Sequence, residues 1–445
     1  MSSFRTGRKA LITGIAGVLS LTACSVGSLG SSDPSSPSAA GDGEAVEITM
    51  LIDNSAHTTA TGQAMADAFN ESQDDVVVKV ETRPEGAEAD NLVKTRLATG
   101  EMTDIFQYNS GSLLAALDPA KNMVPLTDEP FLENIDETFQ TAVTFNDQTY
   151  GVPFGQAMAG GILYNKKVYA DLGLEVPKTW DDFMANNAAI KEAGIDPVLQ
   201  SYGETWTSQL FVLADFHNVT AEQPDWAEKY TANQAKYSEE PALKGFQRLQ
   251  EVYDAGYFNK DFASIQMPQA LQYLVEGKGA HYPMLTFAVP GYVELAEDAA
   301  ENIGFFAQPG DDAENYGLTV WTPAALVIPT TTEGEKLEAA KKFLAYVATP
   351  EASDAQTAAV DPTGPYMVKG STLPDGLPAA VQDLQAYFDE GNTSPALEFL
   401  SPIKGPNLEK ITVEVGSGIA TAEEGAARYD EDVKKQAQQL GLEGW

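Results

Sequence analysis

The amino-acid sequence predicts a fold of the α/β class. From residue 46 to residue 107, segments in which every second side chain is apolar alternate with segments whose apolar side chains recur at helical spacing. Strands that alternate with helices in this way form a parallel sheet, because each right-handed crossover returns the chain beside the strand that it left. The chain has 445 residues, and domains usually have ~150, so it has room for two or three lobes.

The elements of this β-α-β-α-β stretch follow in order. A strand is predicted at residues 46–52, a helix at 61–72, a strand at 76–80, a helix at 86–99 and a short strand at 104–107. Polar residues come directly after the first and third strands: Asp53, Asn54 and His57, and then Asn109 and Ser110. Ligands of open α/β sheets bind beyond the carboxyl ends of the strands, so these segments are candidates for a ligand site.

Helix ends are marked further along the chain. Thr179 is predicted as the N-cap of a helix that Gly194 ends, and residues 332–335 have capping-box spacing ahead of another helix. The last helix is predicted at residues 422–440. The sequence has no repeat of about 20 to 50 residues, which argues against solenoids and propellers.

The charge balance and the rarity of metal-ligating residues exclude several functions. The chain has 27 Lys and Arg against 65 Asp and Glu, a formal net charge of −38. Because that charge repels phosphate backbones, nucleic acid is not expected as a partner. One Cys and three His cannot form a clustered zinc module, and neither a calcium loop, a P-loop nor a dinucleotide fingerprint is present. No metal or cofactor is expected.

The N-terminus has the layout of an export signal. Basic residues precede a short apolar run at residues 10–21, which ends in Leu-Thr-Ala-Cys at 21–24. This ending resembles the bacterial lipobox, which implies that residues 1–23 are a lipoprotein signal peptide and that Cys24 carries the lipid anchor. The alternative is an ordinary cleaved signal with an incidental cysteine. Removing residues 1–23 takes away three basic residues and no acidic ones, so the mature charge is −41.

Residues 24–45 are rich in Gly, Ser and Pro and predict a flexible tether. Signal, anchor and tether place the folded body outside the cytoplasm, close to a membrane. That location favours solute capture, surface enzymology or adhesion.

Patterns of catalytic sites are weak in this chain. His57, His217 and His281 are far apart in sequence, and none lies in an H-E-x-x-H arrangement. The nucleophile-elbow pattern around Ser110 lacks its first glycine. With 65 acidic residues, a pair of carboxylates says little about glycoside hydrolysis. The chain is therefore expected not to be an enzyme, with a surface glycoside hydrolase or an adhesin lipoprotein as the alternatives.

Aromatic residues in polar loops are the remaining signal. Trp206 ends the polar loop 200–206, and Trp321 lies in the loop 316–322. A sugar ring has one apolar face and an equator of hydroxyls, so its site needs an aromatic platform and hydrogen-bonding partners. Core packing explains any one such residue about as well, but the set favours a sugar site.

Three sequence blocks carry a family resemblance. They are Leu-Tyr-Asn-Lys at 163–166 with Pro-Lys-Thr-Trp at 177–180, Glu-Gly-Lys-Gly-Ala at 276–280, and Ala-Ala-Lys-Lys-Phe-Leu at 339–344 with Thr-Pro-Glu at 349–351. Together they resemble the extracytoplasmic solute-binding proteins of carbohydrate ABC importers, in the branch of maltose-binding protein. The resemblance implies a two-lobed periplasmic-binding-protein fold with three interlobe crossovers and a central ligand cleft that closes by hinge bending.

The resemblance also implies the lobes and the partners. Lobe one is expected over residues 46–156 and 307–357, and lobe two over 158–303 and 360–445. The protein would be a monomer that delivers an oligosaccharide to membrane permease subunits. Its lipid anchor would hold it on the outer face of the cell membrane, as in bacteria without an outer membrane.

The sugar-binding residues that the resemblance implies come from both lobes. They are Asp53, Asn54, His57, Asn109, Ser110, Gln156, Tyr202, Trp206, Phe287, Trp321, Glu398 and Phe399. Asp53 leads as an acceptor from sugar hydroxyls, and Phe287 stands where the family often has Trp. Core packing competes for Phe287 and Phe399. The long cleft loop, the several aromatic residues and the oligosaccharide branch of the family imply a di- to tetrasaccharide as the ligand. The acidic body and the tail at 439–445 are similar to receptors for α-1,6-linked glucosides and galactosides such as isomaltose-type sugars and raffinose.

Overall fold

The computed structural model describes residues 45–84 and 86–445. The predicted signal peptide at 1–23, Cys24 and nearly all of the predicted tether lie outside the described residues. Within the described ranges, no helix combines the length and the apolar character that crossing a membrane requires.

The strands and helices alternate along most of the chain. The strands are β1 (Val46–Asp53), β2 (Val76–Arg83), β3 (Ile105–Tyr108), β4 (Thr144–Phe145), β5 (Gln148–Thr149), β6 (Gly151–Phe154), β7 (Met158–Asn165), β8 (Asp196–Val198), β9 (Gly279–Leu285), β10 (Ile303–Phe306), β11 (Leu318–Trp321), β12 (Ala324–Val327) and β13 (Thr393–Pro395). The α-helices are α1 (Ala56–Ser72), α2 (Gly86–Thr99), α3 (Ser112–Ala115), α4 (Pro119–Asn122), α5 (Glu137–Ala142), α6 (Lys166–Leu172), α7 (Trp180–Glu192), α8 (Leu210–Leu213), α9 (Phe216–Glu222), α10 (Trp226–Thr231), α11 (Leu243–Asp254), α12 (Met267–Val275), α13 (Val289–Val293), α14 (Ala299–Asn302), α15 (Gly334–Val347), α16 (Pro350–Ala359), α17 (Ala379–Glu390), α18 (Leu397–Leu400), α19 (Leu408–Val415) and α20 (Ala422–Gln439). Short 3-10 helices lie at Pro130–Asn134, Thr205–Gln209, Thr286–Ala288 and Ala313–Asn315.

The first sheet contains five strands in the order β2-β1-β3-β12-β6. β1 pairs in parallel with both β2 and β3, which confirms the predicted parallel arrangement. β12 lies antiparallel between β3 and β6. Helices α1 and α15 both pack on β1, so the apolar side chains of this strand are covered.

The second sheet contains six strands in the order β13-β11-β7-β9-β8, and β10 also pairs with β7. β7 is its organising strand, because it pairs antiparallel with β9, β10 and β11. Its residues from Ala159 to Asn165 are buried. The two sheets define two lobes, and this confirms the predicted two-lobed α/β fold.

Three passages of chain connect the lobes: from β6 to β7, from β11 to β12, and from α16 to α17. The first and third lie close to the predicted boundaries. The second does not, because the sequence places residues 307–321 in lobe one, whereas Leu318–Trp321 pairs with β7 and β13 in the second sheet. All four residues of this strand are buried, so its sequence has no periodicity that reveals which sheet it joins.

Most predicted helices form, and their ends follow from capping. α7 begins after Thr179, whose hydroxyl accepts the backbone N–H of Asp182 at 3.2 Å. α1 begins earlier than predicted, because the hydroxyl of Ser55 accepts the backbone N–H of Thr58 at 3.2 Å. The capping box predicted at 332–335 does not form: the hydroxyl of Thr332 donates to a backbone carbonyl of lobe one instead.

His281 lies on β9 in the core of lobe two and is fully buried. Its Nδ1 is 2.9 Å from Oδ1 of Asn187, and its Nε2 is 2.6 Å from the hydroxyl of Tyr169. Burial lowers the pKa of His281 from 6.5 to about 3. Between these two pKa values the unfolded chain binds a proton that the folded chain does not. The folded state is therefore less stable relative to the unfolded state as the pH falls below 6.5.

The free energy of unfolding is therefore expected to fall by up to ~1.4 kcal/mol for each pH unit below the unfolded pKa of His281. Urea unfolding at pH 7 and pH 5 measures this change, which should amount to about 2 kcal/mol from this residue. His281→Gln keeps a polar side chain but cannot titrate, so its pH dependence should be shallower by that amount. An identical pH dependence in the variant and the parent would contradict the assignment.

Candidate functional site

A cavity of about 630 Å³ lies between the two sheets, at the carboxyl ends of β1 and β3. Its lobe-one wall includes Ser55, His57, Thr58, Thr61, Gln107, Asn109, Ser110, Leu113, Phe154, Gly155, Gln156, Thr322, Pro323, Ala324 and Thr363. Its lobe-two wall includes Met158, Trp206, Gln209, Leu210, Leu213, Leu285, Phe287, Pro290, Trp321, Glu398, Phe399 and Lys404. A ligand held there contacts both lobes.

Asp53 holds the loop after β1 in place. Its Oδ1 accepts the backbone N–H of Ser55 at 3.0 Å, and its Oδ2 accepts Nε2 of Gln107 at 3.2 Å. Asp53 does not line the cavity, and neither does the exposed Asn54. The structure therefore gives Asp53 a positioning role, because its carboxylate oxygens are already used by neighbouring residues.

His57 does line the cavity and is half-buried. Burial lowers its pKa, although the nearby carboxylate of Asp53 and a hydrogen bond with the side chain of Gln156 oppose that shift. A lowered pKa leaves the imidazole neutral at physiological pH, with one nitrogen as donor and the other as acceptor. Gln156 is itself held by donating Nε2 to the hydroxyl of Tyr366 at 3.2 Å.

Asn109 and Ser110 follow β3, and they differ in whether their side chains are already hydrogen-bonded. The hydroxyl of Ser110 lies 2.9 Å from Oγ1 of Thr322 and donates to the carbonyl of Pro323 at 2.8 Å. Ser110 thus ties lobe one to the second crossover. Asn109 is exposed in the cavity, and its amide has no hydrogen-bond partner within the described part of the chain, so it can bind a ligand hydroxyl.

Trp206 and Phe287 form an aromatic wall in lobe two. Their ring centroids are 5.8 Å apart with an interplanar angle of 41°. Phe287 is 37% exposed, so its ring is open to a ligand rather than packed in the core. The structure thus places both predicted residues on one side of the cavity.

Trp321 and Phe399 line the cavity from a small apolar cluster that also contains Ala142 and Ala396. Both rings are mostly buried. Trp321 packs so closely on β7 that a Cβ at Gly160 would lie 2.5 Å from its Cζ3 atom. These two aromatic residues form the floor of the cavity more than a free stacking platform.

Tyr202 is absent from the cavity, although it is a predicted sugar contact. Its ring is buried in lobe two and packs edge-on against Phe258 and Phe262 at 6.3 and 5.3 Å. Gly416 packs against its hydroxyl. A tyrosine beside glycine in a polar segment looks exposed in sequence, and only the packing of distant segments buries it.

Glu398 and Lys404 form an ion pair in the cavity wall. Lys404 is among the lining residues that the sequence did not predict, together with Gln107 and Gln209. Gln209 had a local signal, since it stands three residues after Trp206 in the same 3-10 helix and therefore on the same side. Lys404 had none, because only the fold brings it to the cavity.

Residues 55–354 match the model of a protein family described as bacterial extracellular solute-binding protein. The chain is 26% identical over 298 residues to the multiple sugar-binding protein of Streptococcus mutans serotype c, across 66% of this chain and 69% of that one. It is 20% identical over 418 residues to the melibiose/raffinose/stachyose-binding protein of Bacillus subtilis, across 86% of this chain and 88% of that one.

Solved structures share the fold. One described as "SBP RafE in complex with raffinose" superposes with a TM-score of 0.71 at 20% sequence identity, and the match covers 89% of this chain and 99% of that chain. A likeness at this identity concerns the fold, so the chemistry of the site depends on the residues of this chain.

Proposed function

The chain belongs to the family of bacterial extracellular solute-binding proteins, and we propose that it captures an uncharged oligosaccharide in the interlobe cavity and delivers it to the permease of an ABC importer. The observation that carries this proposal is the composition of the cavity lining, which combines aromatic rings, neutral polar groups and one ion pair.

The cavity is electrically neutral within a strongly acidic chain. The formal net charge is −38, but the titratable side chains that line the cavity, within the described residues, are His57, Glu398 and Lys404. Glu398 and Lys404 neutralise each other, and His57 is neutral because of its lowered pKa. A charged ligand would lose its hydration without gaining a free counter-charge. The lining therefore favours an uncharged ligand.

The polar and aromatic groups fit a sugar. The ring pair of Trp206 and Phe287 offers an apolar platform, while Asn109, His57 and Gln209 offer hydrogen bonds to hydroxyls. The cavity of about 630 Å³ lies within the usual range of ~300–1,000 Å³ for ligand sites and suits a ligand of a few sugar rings. Two similar proteins are named for multiple sugars and for melibiose, raffinose and stachyose, so we favour α-1,6-linked galactosides among di- to tetrasaccharides.

Binding drives closure only when a ligand contacts both lobes, because it must stabilise the closed arrangement more than the open one. The three crossovers are the hinge about which the lobes move. A closed receptor with its sugar then docks as a monomer on the permease.

The family name places the protein outside the cytoplasm. Acylation of Cys24 would hold it at the outer face of the cell membrane, and the stretch of residues 24–45 would give it reach. Metabolic labelling with a radioactive fatty acid should mark the parent and leave Cys24→Ser unlabelled. Equal labelling of both would reject the anchor.

A surface glycoside hydrolase is the main alternative. Hydrolysis uses two carboxylates that flank the scissile bond. Among the described residues that line the cavity, Glu398 is the only carboxylate, and it pairs with Lys404. This lining supports binding without turnover.

A thermal-unfolding screen tests the proposal. Raffinose, melibiose, stachyose and isomaltose-type sugars are compared with oligosaccharides that contain a uronate or an amino sugar. A cognate neutral sugar at about 100 times its Kd should stabilise the protein by ~2.7 kcal/mol. Stabilisation by the charged sugars alone, or release of monosaccharides on prolonged incubation, would overturn the proposal.

A further inference from the structure

Helix α18 belongs to lobe two by its anchoring. The backbone N–H of Ala396, just before the helix, donates to the carbonyl of Val320 on β11 at 2.8 Å. Just after the helix, the hydroxyl of Thr231 in α10 donates to Oγ of Ser401 at 2.8 Å. Both ends of α18 are therefore fixed to lobe two.

The same helix touches lobe one. It contacts α3 and α5, and Phe399 packs in the apolar cluster with Ala142 at the end of α5. Gly111 lies at this contact, directly before α3. A Cβ added to Gly111 would lie 2.5 Å from the carbonyl oxygen of Glu398 and 2.7 Å from Cδ1 of Phe399. Both distances are far below an ordinary carbon contact of ~3.5 Å, so the lobes meet here with no space left.

Gly111 cannot retreat from this contact. Its backbone N–H donates to the carbonyl of Ala142 at 2.8 Å. The preceding residue, Ser110, is bonded to Thr322 and Pro323 of the second crossover. A clash at Gly111 must therefore be relieved by movement of lobe two.

The contact also belongs to the cavity wall. Glu398 and Phe399 line the cavity on one side, and Ser110 and Leu113, which flank Gly111, line it on the other. We propose that Gly111 is the residue that sets how far the two lobes close, because its missing side chain lets α18 rest on lobe one beside the second crossover. A displacement this close to a crossover is magnified at the open side of the cleft.

Replacing Gly111 with alanine is a wedge test. The added Cβ should push α18 away by about 1 Å at the contact and hold the lobes further apart. Gly100→Ala is the matched control: Gly100 also lies in lobe one, its φ of +72° nearly equals the +70° of Gly111, and its nearest contact would be an ordinary 3.7 Å from Thr331. Both variants place alanine at a positive φ, but Gly111 also has a ψ of −142°, outside the left-handed helical region. The interlobe distance, rather than any loss of stability, therefore reports the wedge.

The first readout needs no ligand. Spin labels at Lys121→Cys in α4 and Lys236→Cys in lobe two, both exposed positions, are introduced into the full chain with Cys24→Ser. Pulsed electron–electron double resonance should give a longer distance between the two spin labels in Gly111→Ala than in the parent or in Gly100→Ala. Equal distances in all three proteins would overturn the inference.

The second readout rests on the proposed function, because it needs a sugar that binds. Calorimetry with a neutral oligosaccharide that stabilises the parent should show affinity about tenfold weaker for Gly111→Ala, or ~1.4 kcal/mol, and unchanged for Gly100→Ala. If no sugar binds the parent, the proposed function fails while the distance measurement still decides the role of Gly111. If sugar binds Gly111→Ala as tightly as the parent, the closure role fails and the receptor function stands.

Discussion

Trp206→Ala is expected to weaken oligosaccharide binding at least tenfold. The ring lies in the cavity wall, 5.8 Å from Phe287 and only half-buried, so a bound sugar would cover its remaining surface. Losing an aromatic platform costs about 0.5–1.5 kcal/mol beyond the apolar area that is no longer buried. Since tenfold in Kd is ~1.4 kcal/mol, the two effects together exceed that threshold. Isothermal calorimetry with a sugar identified by thermal unfolding measures the change.

Trp445→Ala is the matched control for this experiment. Trp445 is also a half-buried tryptophan of lobe two, but it packs on Tyr230 and does not line the cavity. Its loss should leave Kd unchanged if the assignment of the cavity is right, whatever it does to stability. Unchanged affinity in Trp206→Ala, or equal losses in the two variants, would remove Trp206 from the binding site.

Arg248→Met is expected to destabilise the protein by about 3–5 kcal/mol. Arg248 forms an ion pair with Asp215, and both side chains are almost fully buried, at 4% and 2% exposure. Its second nitrogen donates to Asp311 at 2.9 Å, and its guanidinium lies 5.3 Å from the ring of Trp180. Methionine fills much of the same volume but leaves the carboxylate of Asp215 buried without its counter-charge. Urea unfolding measures the difference.

The loss should depend on pH in a defined direction. Burial raises the pKa of Asp215 even beside Arg248, and removing the guanidinium raises it further. Above the ordinary carboxyl pKa of 3.8, the folded variant then binds a proton that the unfolded chain does not, so its deficit relative to the parent should shrink as the pH is lowered.

A surface ion pair provides the control for Arg248→Met. Lys79 pairs with Glu47, and both side chains are more than half exposed. Lys79→Met should cost under ~1 kcal/mol with little pH dependence. Comparable losses in the two variants would show that burial does not govern the cost at Arg248.

Local patterns in the sequence predicted much of lobe one. α2 spans Gly86–Thr99, as the spacing of its apolar residues predicts, and β1 and β2 follow the predicted alternation. The second crossover was misplaced, because Leu318–Trp321 is buried on both faces and carries no period. The choice of sheet for this strand depends on pairing with β7 and β13, which are far away in the chain, and local patterns do not report such pairing.

The residues of the candidate site were likewise predicted from the sequence only in part. The polar turns after β1 and β3 bring His57 and Asn109 to the cavity, as the position of ligand sites in α/β sheets predicts. Trp206 and Phe287 also lie there, while Tyr202 is buried away from it. Aromatic residues serve cores and sugar sites equally well in sequence, and their surroundings in the fold separate the two roles.

The sequence by itself determined the α/β class, the polar segments beyond the strands and the family resemblance, because these depend on short-range periodicity and on contiguous motifs. The tertiary structure alone decided which side chains near the cavity already have a hydrogen-bond, ion-pair or packing partner. It turns the carboxylate of Asp53 to Ser55 and Gln107, pairs Lys404 with Glu398 and rests α18 on Gly111. Each of these outcomes joins segments that are distant in sequence or sets one side chain among competing partners. Such choices are settled by packing and hydrogen bonding in the folded chain.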